Sequence, residues 1–442
     1  MITAKAFAGK RYGVFGLART GRSVAAALVA SGAEVVTWDD GEAVRAATDL
    51  PLLDPARWFD TGMDAVVVSP GVPRDRHPLC LAADAAHVPV IGDIELFALA
   101  RPELPPHRVV GITGTNGKST TTALIHHILA LAGRPAALGG NIGLPILDQV
   151  PLPEGGVYVL ELSSFQIDLT FSLVSEVAVL LNVTPDHLDR HHTIEDYAAA
   201  KSRLFGMQIP QDTAVIAVDD DFTVDIANVV VAHLVPVSAN RVLDEGVSVV
   251  GGIARIDEIE IGLQSDWLGL AGPHNAQNAA AAIAATRALG LTNDEILAGL
   301  GSYVGLPHRM ERIRELDGVL YVNDSKATNP TSAAPALAAY PAVHWIAGGL
   351  AKTDDLDACL PFLGNVRAAY LIGEAAPLFA RLLDGLVPIV MSGTLAEAVR
   401  SAHAAARVGD TVLLSPACAS FDQFTDYGAR GDAFRIAVEA LS

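Results

Sequence analysis

Lys118 and Ser119 follow two glycines, Gly114 and Gly117, in the run GITGTNGKSTTT. A lysine and a hydroxyl placed where an apolar strand gives way to a helix are suited to holding phosphate. Glycines permit the tight turn, first-turn N–H groups and the helix dipole favour an anion, the lysine adds a point charge, and the hydroxyl can ligate Mg2+. The run is not the usual G-x-x-x-x-G-K-[ST] loop, because Ile112 stands where its first glycine belongs. Two readings compete: a nucleotide loop of different build, and a Gly/Thr-rich helix cap with an incidental lysine. The apolar run 109–113 before it, and Leu124, Ile125, Ile128 and Leu129 on one side of the helix after it, favour the nucleotide.

Two more polar residues end apolar runs. Glu161 follows VYVL, where a carboxylate can bind a hard cation through oxygen, and His187 lies in NVTPDHLD. Alone, each reads more simply as structural, a helix cap and a loop histidine. Set on neighbouring strand ends beside Ser119, they would surround a metal and a phosphate with mixed ligands.

The elements that must position these residues form three blocks. The first, KRYGVFGLARTGRSVAAALVASGAEVVTWDD, reads as strand, glycine turn, helix and a second strand ending in Asp39 and Asp40. This is the layout of a Rossmann unit, with Ala18 where the fingerprint's second glycine belongs. A degraded fingerprint leaves nicotinamide-dinucleotide binding open but favours a doubly wound domain that holds part of another ligand. Ser69-Pro70-Gly71 ends a later strand, and RPELPP reads as a linker. The middle block carries the loop and closes on the helix GPHNAQNAAAAIAATRALG; the last, from about Leu306, alternates strands and helices again. The expected fold class is α/β with three domains: Rossmann-like over 1–97, a central P-loop domain with a mostly parallel sheet over 98–305, and Rossmann-like over 306–442.

Composition narrows the partners. Among 442 residues, 50 Asp and Glu face 30 Lys and Arg, a net charge of −20 that repels nucleic acid and anionic membranes. Any phosphate-bearing ligand must therefore be held by local devices. Cys80, Cys359 and Cys418 lie too far apart in sequence for a metal motif and make no disulfide framework, which fits a reducing cytoplasm. The start MITAKAFAGKRYG lacks an apolar signal core, and the Ala-rich runs 24–33 and 279–291 are too short or too interrupted by charge to span a bilayer. A soluble cytoplasmic protein, without nucleic acid or membrane partner, is expected.

GITGTNGKSTTT, GGNIG at 139–143, LELSSFQ, NVTPDHLDRH, GPHNAQNAAAA, GLPHRME, NDSKATNP and SPACASFDQF occur in this order. Together they make nearly the whole chain resemble the Mur ligases of peptidoglycan synthesis. The T-G-T-N-G-K-[ST] loop, shared with folylpolyglutamate synthases, marks only the superfamily. NDSKATN and SPACASFDQF are similar to the branch that adds D-glutamate.

The resemblance implies a monomeric ATP-dependent ligase that joins D-glutamate to UDP-N-acetylmuramoyl-L-alanine through an acyl phosphate, with two Mg2+ ions. It implies a uridine-binding first domain, an ATP- and Mg-binding second domain, and a third domain that binds the amino acid and closes over ATP. Gly114, Thr115, Asn116, Gly117, Lys118, Ser119 and Thr120 match the phosphate loop, Asn278 the adenine side, and Arg309 and Asp324 the ATP contacts of the third domain. Ser119, Glu161, His187 and a carbamate on Lys201 match the metal ligands, and Lys118, His187 and Lys201 the catalytic group. Ser69, Gly71, Asn141 and Ser163 match UDP-sugar contacts; Thr328, Lys352, Ser420 and Tyr427, the last in place of a phenylalanine, match the amino-acid site. Without the resemblance, Lys201 is a solvated helix residue, Asn278 a cap, Arg309 an ion-pair partner, and Asp324, Thr328, Lys352 and Ser420 ordinary loop residues. Ala18 and the stretch Asp39-Asp40-Gly41, which lacks an arginine expected beside the uracil, depart from the pattern. The rival classes are another amide-forming ligase, a phosphotransferase or ATPase, and a non-enzymatic nucleotide-binding regulator.

Overall fold

The computed structural model describes residues 1–270 and 272–441. Its strands form three sheets, and the chain divides into two compact units, Met1–Tyr303 and Val304–Ser442.

The first sheet has four parallel strands in the order Glu34–Trp38, Arg11–Phe15, Ala65–Val68, Val90–Ile91. Its order reverses between Arg11–Phe15 and Ala65–Val68, so Gly16 and Ser69, which follow these two strands, flank the crevice where such folds take ligands. The second sheet has nine strands, with Thr213–Ala217, Val177–Leu180, His107–Thr113, Gly156–Glu161 and Ala136–Gly140 consecutive and parallel at one end. Val177–Leu180 and Gly156–Glu161 are buried at every residue, which follows from being covered on both faces and from their unbroken apolar runs. The hairpin Ile253–Ile256 and Ile259–Leu263 supplies the antiparallel edge. Helix Pro273–Ala288 packs on helix Lys118–Leu131, and its alanines at 279–282 have no exposed surface; small side chains let the two backbones approach.

The expected linker is tightly bound. Phe97 is buried in the helix Asp93–Ala100, and Arg101 donates through Nη2 to Glu176 Oε1 (2.7 Å), through Nη1 to the Val174 carbonyl and through Nε to His107 Nε2 (3.0 Å). Glu103 accepts from the amides of Lys5 and Ala6 at 2.8 and 2.9 Å. One apolar cluster runs from Ile2, Leu28 and Phe97 to Leu147, Tyr158 and Leu180, which makes the first two sheets a single unit.

The third sheet has six strands in the order Glu311–Leu316, Val319–Asn323, Thr411–Leu414, Val343–Gly348, Val366–Ile372, Ile389–Gly393; only the first is antiparallel to its neighbour. Separate apolar clusters cover it, one around Trp345 and Leu413, the other around Tyr321 and Leu414. Among the described residues, no helix is long and apolar enough to cross a membrane.

Candidate active site

Strand His107–Thr113 pairs Ile112 with Glu161 on one side and Thr113 with Leu180 on the other. Three carboxyl ends therefore lie side by side and bring the glycine loop, Glu161 and the segment 182–187 together. Ile112 is a fully buried strand residue, so the loop begins at Gly114 (φ +149°) and ends at Gly117 (φ +83°), the N-cap of helix Lys118–Leu131. A Cβ on Gly117 would collide with Asn278 Oδ1, so glycine is required there for both space and backbone conformation.

The loop is held from outside. Asn182 accepts from the Asn116 amide through Oδ1 (2.8 Å) and from the Thr115 amide through its carbonyl (2.9 Å). The Thr115 hydroxyl donates to the Thr184 carbonyl (3.2 Å) and accepts from the Thr184 amide (3.0 Å). Asn182 Nδ2 in turn donates to Gln277 Oε1 at 2.8 Å. Asn182 and Gln277 are functional supports that sequence reasoning passed over; the available signal was an amide residue directly after one apolar strand and another one position before Asn278. Asn278 lies behind the loop, buried, accepting from the Thr121 hydroxyl (3.2 Å) and donating to Asn275 Oδ1 (3.0 Å).

Two lysines converge on one oxygen of this loop. Lys118 Nζ donates to the carbonyls of Gly114 (2.9 Å) and Thr115 (2.7 Å), and Lys201 Nζ donates to the same Gly114 carbonyl at 2.9 Å. Lys201 is 1% exposed, so it is not the surface residue its helix alone suggests. Helix Ile194–Gly206 buries Tyr197, Ala200, Leu204 and Phe205 on one face, and Lys201 shares that face with its ammonium 4.1 Å above the Tyr197 ring. Burial first, then the Lys118 charge, pushes its pKa well below the usual lysine range, against the opposing pull of Asp186 and Asp168. Burial also raises the Tyr197 hydroxyl to about 12, and that hydroxyl is hydrogen-bonded to Thr115.

Glu161 is 2% exposed; Oε1 accepts from Asn141 Nδ2 (3.1 Å), while Oε2 is buried with no hydrogen-bond partner. A carboxylate oxygen left in this state is costly unless a cation or donor arrives. Ser119 is buried in the first turn of the adjacent helix. His187 is half-exposed in a left-handed conformation (φ +53°), with Nε2 3.5 Å from Asp186 Oδ2 and its ring 5.0 Å from that of Phe165. Among the described residues, no group of three or more His, Cys, Asp or Glu side chains is gathered for a metal. The donor set suits a cation that takes single protein oxygens and completes its shell with phosphate and water, as Mg2+ does.

On the first sheet, the Ser69 hydroxyl donates to the Gly16 carbonyl (3.4 Å), and Arg190 donates to the carbonyls of Gly71 and Val72 (3.1 Å each) while its guanidinium lies 4.4 Å above the Phe165 ring. Ser163 caps the helix Ser164–Asp168 in a reciprocal box with Gln166. Ala18 is an extended N-cap (φ −67°), a conformation that needs no glycine. Asp39 accepts from the amides of Leu17 (2.7 Å) and Gly41 (2.8 Å), which commits it to holding its own turn. Arg45 binds the carbonyls of Asp39 and Asp40 and lies 4.6 Å above the Trp38 ring, so a guanidinium stands beside this strand end after all. A cavity of about 640 Å3 opens here, lined by Leu17, Ala18, Arg19, Arg22, Val44 and Asp148.

In residues 304–442, Thr328, Lys352 and Ser420 follow the carboxyl ends of strands Val319–Asn323, Val343–Gly348 and Thr411–Leu414, which are neighbours in the sheet. Lys352 Nζ donates to the Thr328 hydroxyl at 3.2 Å, and Ser420 is buried. Tyr427 opens the last helix, its ring 4.1 Å from Lys326 Nζ. Asp324 is buried, accepting from the Ser415 hydroxyl (2.7 Å) and the Met310 amide (3.2 Å); Arg309 lies close enough to pull its pKa down.

Burial outweighs those contacts and pushes the Asp324 carboxyl up to about 7. The folded state therefore holds this proton more tightly than the unfolded chain, whose aspartate titrates near ~3.9. Its contribution to stability is full below that value and is lost as pH rises through the folded pKa. Thermal unfolding of wild type and Asp324→Asn from acid to neutral pH should show the variant gaining on wild type as pH rises; parallel profiles would refute this.

Residues 112–286 match the Mur ligase middle domain, and residues 308–418 the family model described as Mur ligase, glutamate ligase domain. UDP-N-acetylmuramoylalanine–D-glutamate ligases from Novosphingobium aromaticivorans and Sphingopyxis alaskensis are each 57% identical to the chain over 100% of its length and 97% and 100% of theirs. The ligase of the same name from Zymomonas mobilis is 52% identical, with 100% of both chains covered. The solved UDP-N-acetylmuramate-alanine ligase from Thermotoga maritima superposes with a TM-score of 0.62 at 18% identity, covering 98% of this chain and 99% of that one, a likeness of fold. With both domain models matched in order, and relatives more than half identical from end to end, this chain belongs to the Mur ligase family.

Proposed function

We propose that the protein is an ATP-dependent ligase that joins D-glutamate to UDP-N-acetylmuramoyl-L-alanine in peptidoglycan precursor synthesis. The observation that carries this reading is the convergence of Lys118 and Lys201 on the Gly114 carbonyl, on the strand end next to the unpartnered Glu161 Oε2. In the reaction, a carboxylate oxygen of the UDP-sugar attacks the γ-phosphorus of ATP and ADP leaves. The amine of D-glutamate then attacks the acyl carbon and phosphate leaves. Both steps crowd negative charge where carboxylate meets phosphate, so fixed cations and a dry loop lower the barrier.

Within this reading, the amides of 114–120 and the Lys118 ammonium bind the β- and γ-phosphates, with Asn278 on the adenine side of the site. Ser119, Glu161, His187 and a modified Lys201 hold Mg2+, which supplies positive charge at the transferring phosphoryl group. The buried amine of Lys201 reacts with CO2: the nitrogen lone pair forms the N–C bond, one N–H proton is released, and a carbamate anion replaces a neutral amine. A depressed pKa favours this step because only the unprotonated amine attacks. Ser69, Gly71, Asn141 and Ser163 bind the UDP-sugar; Asn141 donates to Glu161, which joins the sugar end of the site to the cation end. Thr328, Lys352, Ser420 and Tyr427 bind D-glutamate. We assign uridine binding to residues 1–97, ATP and Mg2+ to 98–305 and the amino acid to 306–442, in a monomeric cytoplasmic enzyme.

The test follows ADP and phosphate release with Mg-ATP, UDP-N-acetylmuramoyl-L-alanine and single amino acids. Release should require both the UDP-sugar and D-glutamate. Release independent of both would mark an ATPase, and tight nucleotide binding without turnover would mark a regulator. A preference for L-glutamate would keep the reaction class and overturn the substrate.

A further inference from the structure

His187 and Lys201 are joined by a stretch that cannot hold its own shape. His187 is followed by the helix Leu188–His191, a single turn, and then by His192; both flanking histidines have positive φ, +53° and +64°. An isolated turn is not stable on its own bonds, and non-glycine residues keep positive φ only where their surroundings impose it. The surroundings here come from the first sheet. Arg190 donates through Nη1 to the Gly71 carbonyl and through Nη2 to the Val72 carbonyl, both at 3.1 Å. Arg76 Nη1 donates to the Asp189 carbonyl (3.3 Å), and His192 Nε2 lies 3.5 Å from Asp75 Oδ2. These partners all belong to residues 71–76, in the loop that follows strand Ala65–Val68.

The same turn is tied inward through an aromatic ring. The Arg190 guanidinium lies 4.4 Å above Phe165, whose ring stacks on His191 (5.3 Å, 6° between planes) and meets His187 edge-on at 5.0 Å. His191 is buried, with Nε2 2.9 Å from the Ser164 hydroxyl. Arg190 thus touches at once the loop of Ser69 and Gly71, the short helix that Ser163 caps, and the turn that His187 opens. Its charge is answered by carboxylates: burial raises the Asp168 carboxyl, while Arg203, Arg190 and Lys201 pull it down. What the guanidinium adds is geometry, because a planar fork spans two successive carbonyls while its face covers a ring. Holding the two sheets together does not require it, since the apolar layer from Ile2 and Phe97 to Leu147 and Tyr158 already does so. The contact sits instead at the carboxyl ends of strands, where such folds bind ligands.

We propose that Arg190 is a positioning residue that couples the UDP-sugar loop to the cation end of the site. The sugar nucleotide fixes loop 69–72, and the fork on its carbonyls then holds His187 in the place where it serves Mg-ATP. The proposal rests on the assignment above of Ser69 and Gly71 to the sugar nucleotide and of His187 to the cation, and adds the residue that connects them. Coupling of this kind is reciprocal, so each ligand tightens the other by one shared factor.

Calorimetry on the full-length protein reads that factor. UDP-N-acetylmuramoyl-L-alanine, and a non-hydrolysable ATP analogue with Mg2+, are each titrated alone and with the other saturating. Wild type should show a factor of about five or more. In Arg190→Met the factor should fall to within about twofold of unity, while the UDP-sugar alone in EDTA and the Mg-nucleotide alone each bind within about threefold of wild type. Arg190→Lys keeps a cation over Phe165 and loses the fork, so its factor should lie between those two. If Arg190→Met fails to fold, Arg76→Met, at an exposed residue, removes a different bond between loop and turn; the factor should fall about twofold or more with both single affinities kept. Independent binding of the two ligands to wild type, or a wild-type factor in whichever variant folds, would overturn the proposal. So would a UDP-sugar affinity in EDTA that drops about tenfold in Arg190→Met with the factor intact, which would make Arg190 an ordinary binding contact. A wild type that binds the Mg-nucleotide and not the UDP-sugar would instead remove the function reading, and this proposal with it.

Discussion

Lys118→Ala should lower kcat/KM for ATP by about a thousandfold or more, a loss of roughly 4 kcal/mol of transition-state stabilisation. The effect is large because this partly buried ammonium is the one cation in a turn whose other donors are backbone amides and hydroxyls. Two of its hydrogen-bond acceptors are the neutral carbonyls of Gly114 and Thr115. Lys118→Arg should not restore activity, since a planar fork cannot occupy the place of a compact ammonium held within one turn. Steady-state kinetics with calorimetric ATP binding checks this. A variant that keeps activity within tenfold of wild type would move the phosphate site elsewhere.

The second large effect concerns Lys201, where activity and stability should move in opposite directions. Lys201→Met should abolish turnover, with a loss of about a thousandfold or more, because the anion proposed to hold the cation cannot form. The same substitution should stabilise the ligand-free protein in CO2-free buffer by on the order of 1–2 kcal/mol, since it replaces a buried ionisable group by an apolar one of similar length. The Gly114 carbonyl keeps Lys118 as a donor, so the change strands no acceptor. The pH dependence has a fixed sign. The folded pKa is depressed, so the unfolded chain binds the proton more tightly, and wild type regains stability as pH rises towards the unfolded value near ~10.4. The advantage of Lys201→Met is therefore greatest at lower pH and fades in that alkaline range. Thermal unfolding across pH reads the stability, and mass spectrometry under CO2 should find the adduct in wild type and not in the variant. A stable Lys201→Met enzyme with wild-type turnover would refute the modification.

Much of this site was legible in residue types at the ends of apolar runs. The glycine loop, Glu161 and the segment of His187 all follow strands whose patterning is local, and parallel sheets place such ends on one rim. Ile112, which breaks the usual loop pattern, is explained by the same logic as a strand residue. What the pattern did not disclose depends on partners far away in sequence. Lys201 meets the Gly114 carbonyl across 87 positions, and Asn182 meets Gln277 across 95. A polar side chain on a helix is read as exposed unless its acceptor is known. Arg430, buried on the helix Tyr427–Glu439, was invisible for this reason: its acceptors Ser325, Ala419 and Cys418 lie 105, 11 and 12 positions away, on loops that only the sheet order brings together. The stretch RPELPP misled in the opposite direction. Its prolines suggest a tether, while Arg101 and Glu103 beside them anchor it at both ends.

The apolar layer shared by the first two sheets bears on how this molecule can be taken apart. The Ile2 amide donates to the Leu147 carbonyl at 2.8 Å, and Ile2, Phe7 and Phe97 belong to the same cluster as Leu147 and Tyr158. Cutting the chain near residue 98 would bare apolar faces on both fragments and part Glu103 from the Lys5 and Ala6 amides it accepts from. A cut before Val304 leaves a piece that retains both clusters of its own sheet. Dissection by proteolysis, truncation or fusion therefore has one natural seam, and it falls between Tyr303 and Val304 rather than behind the four-stranded first sheet.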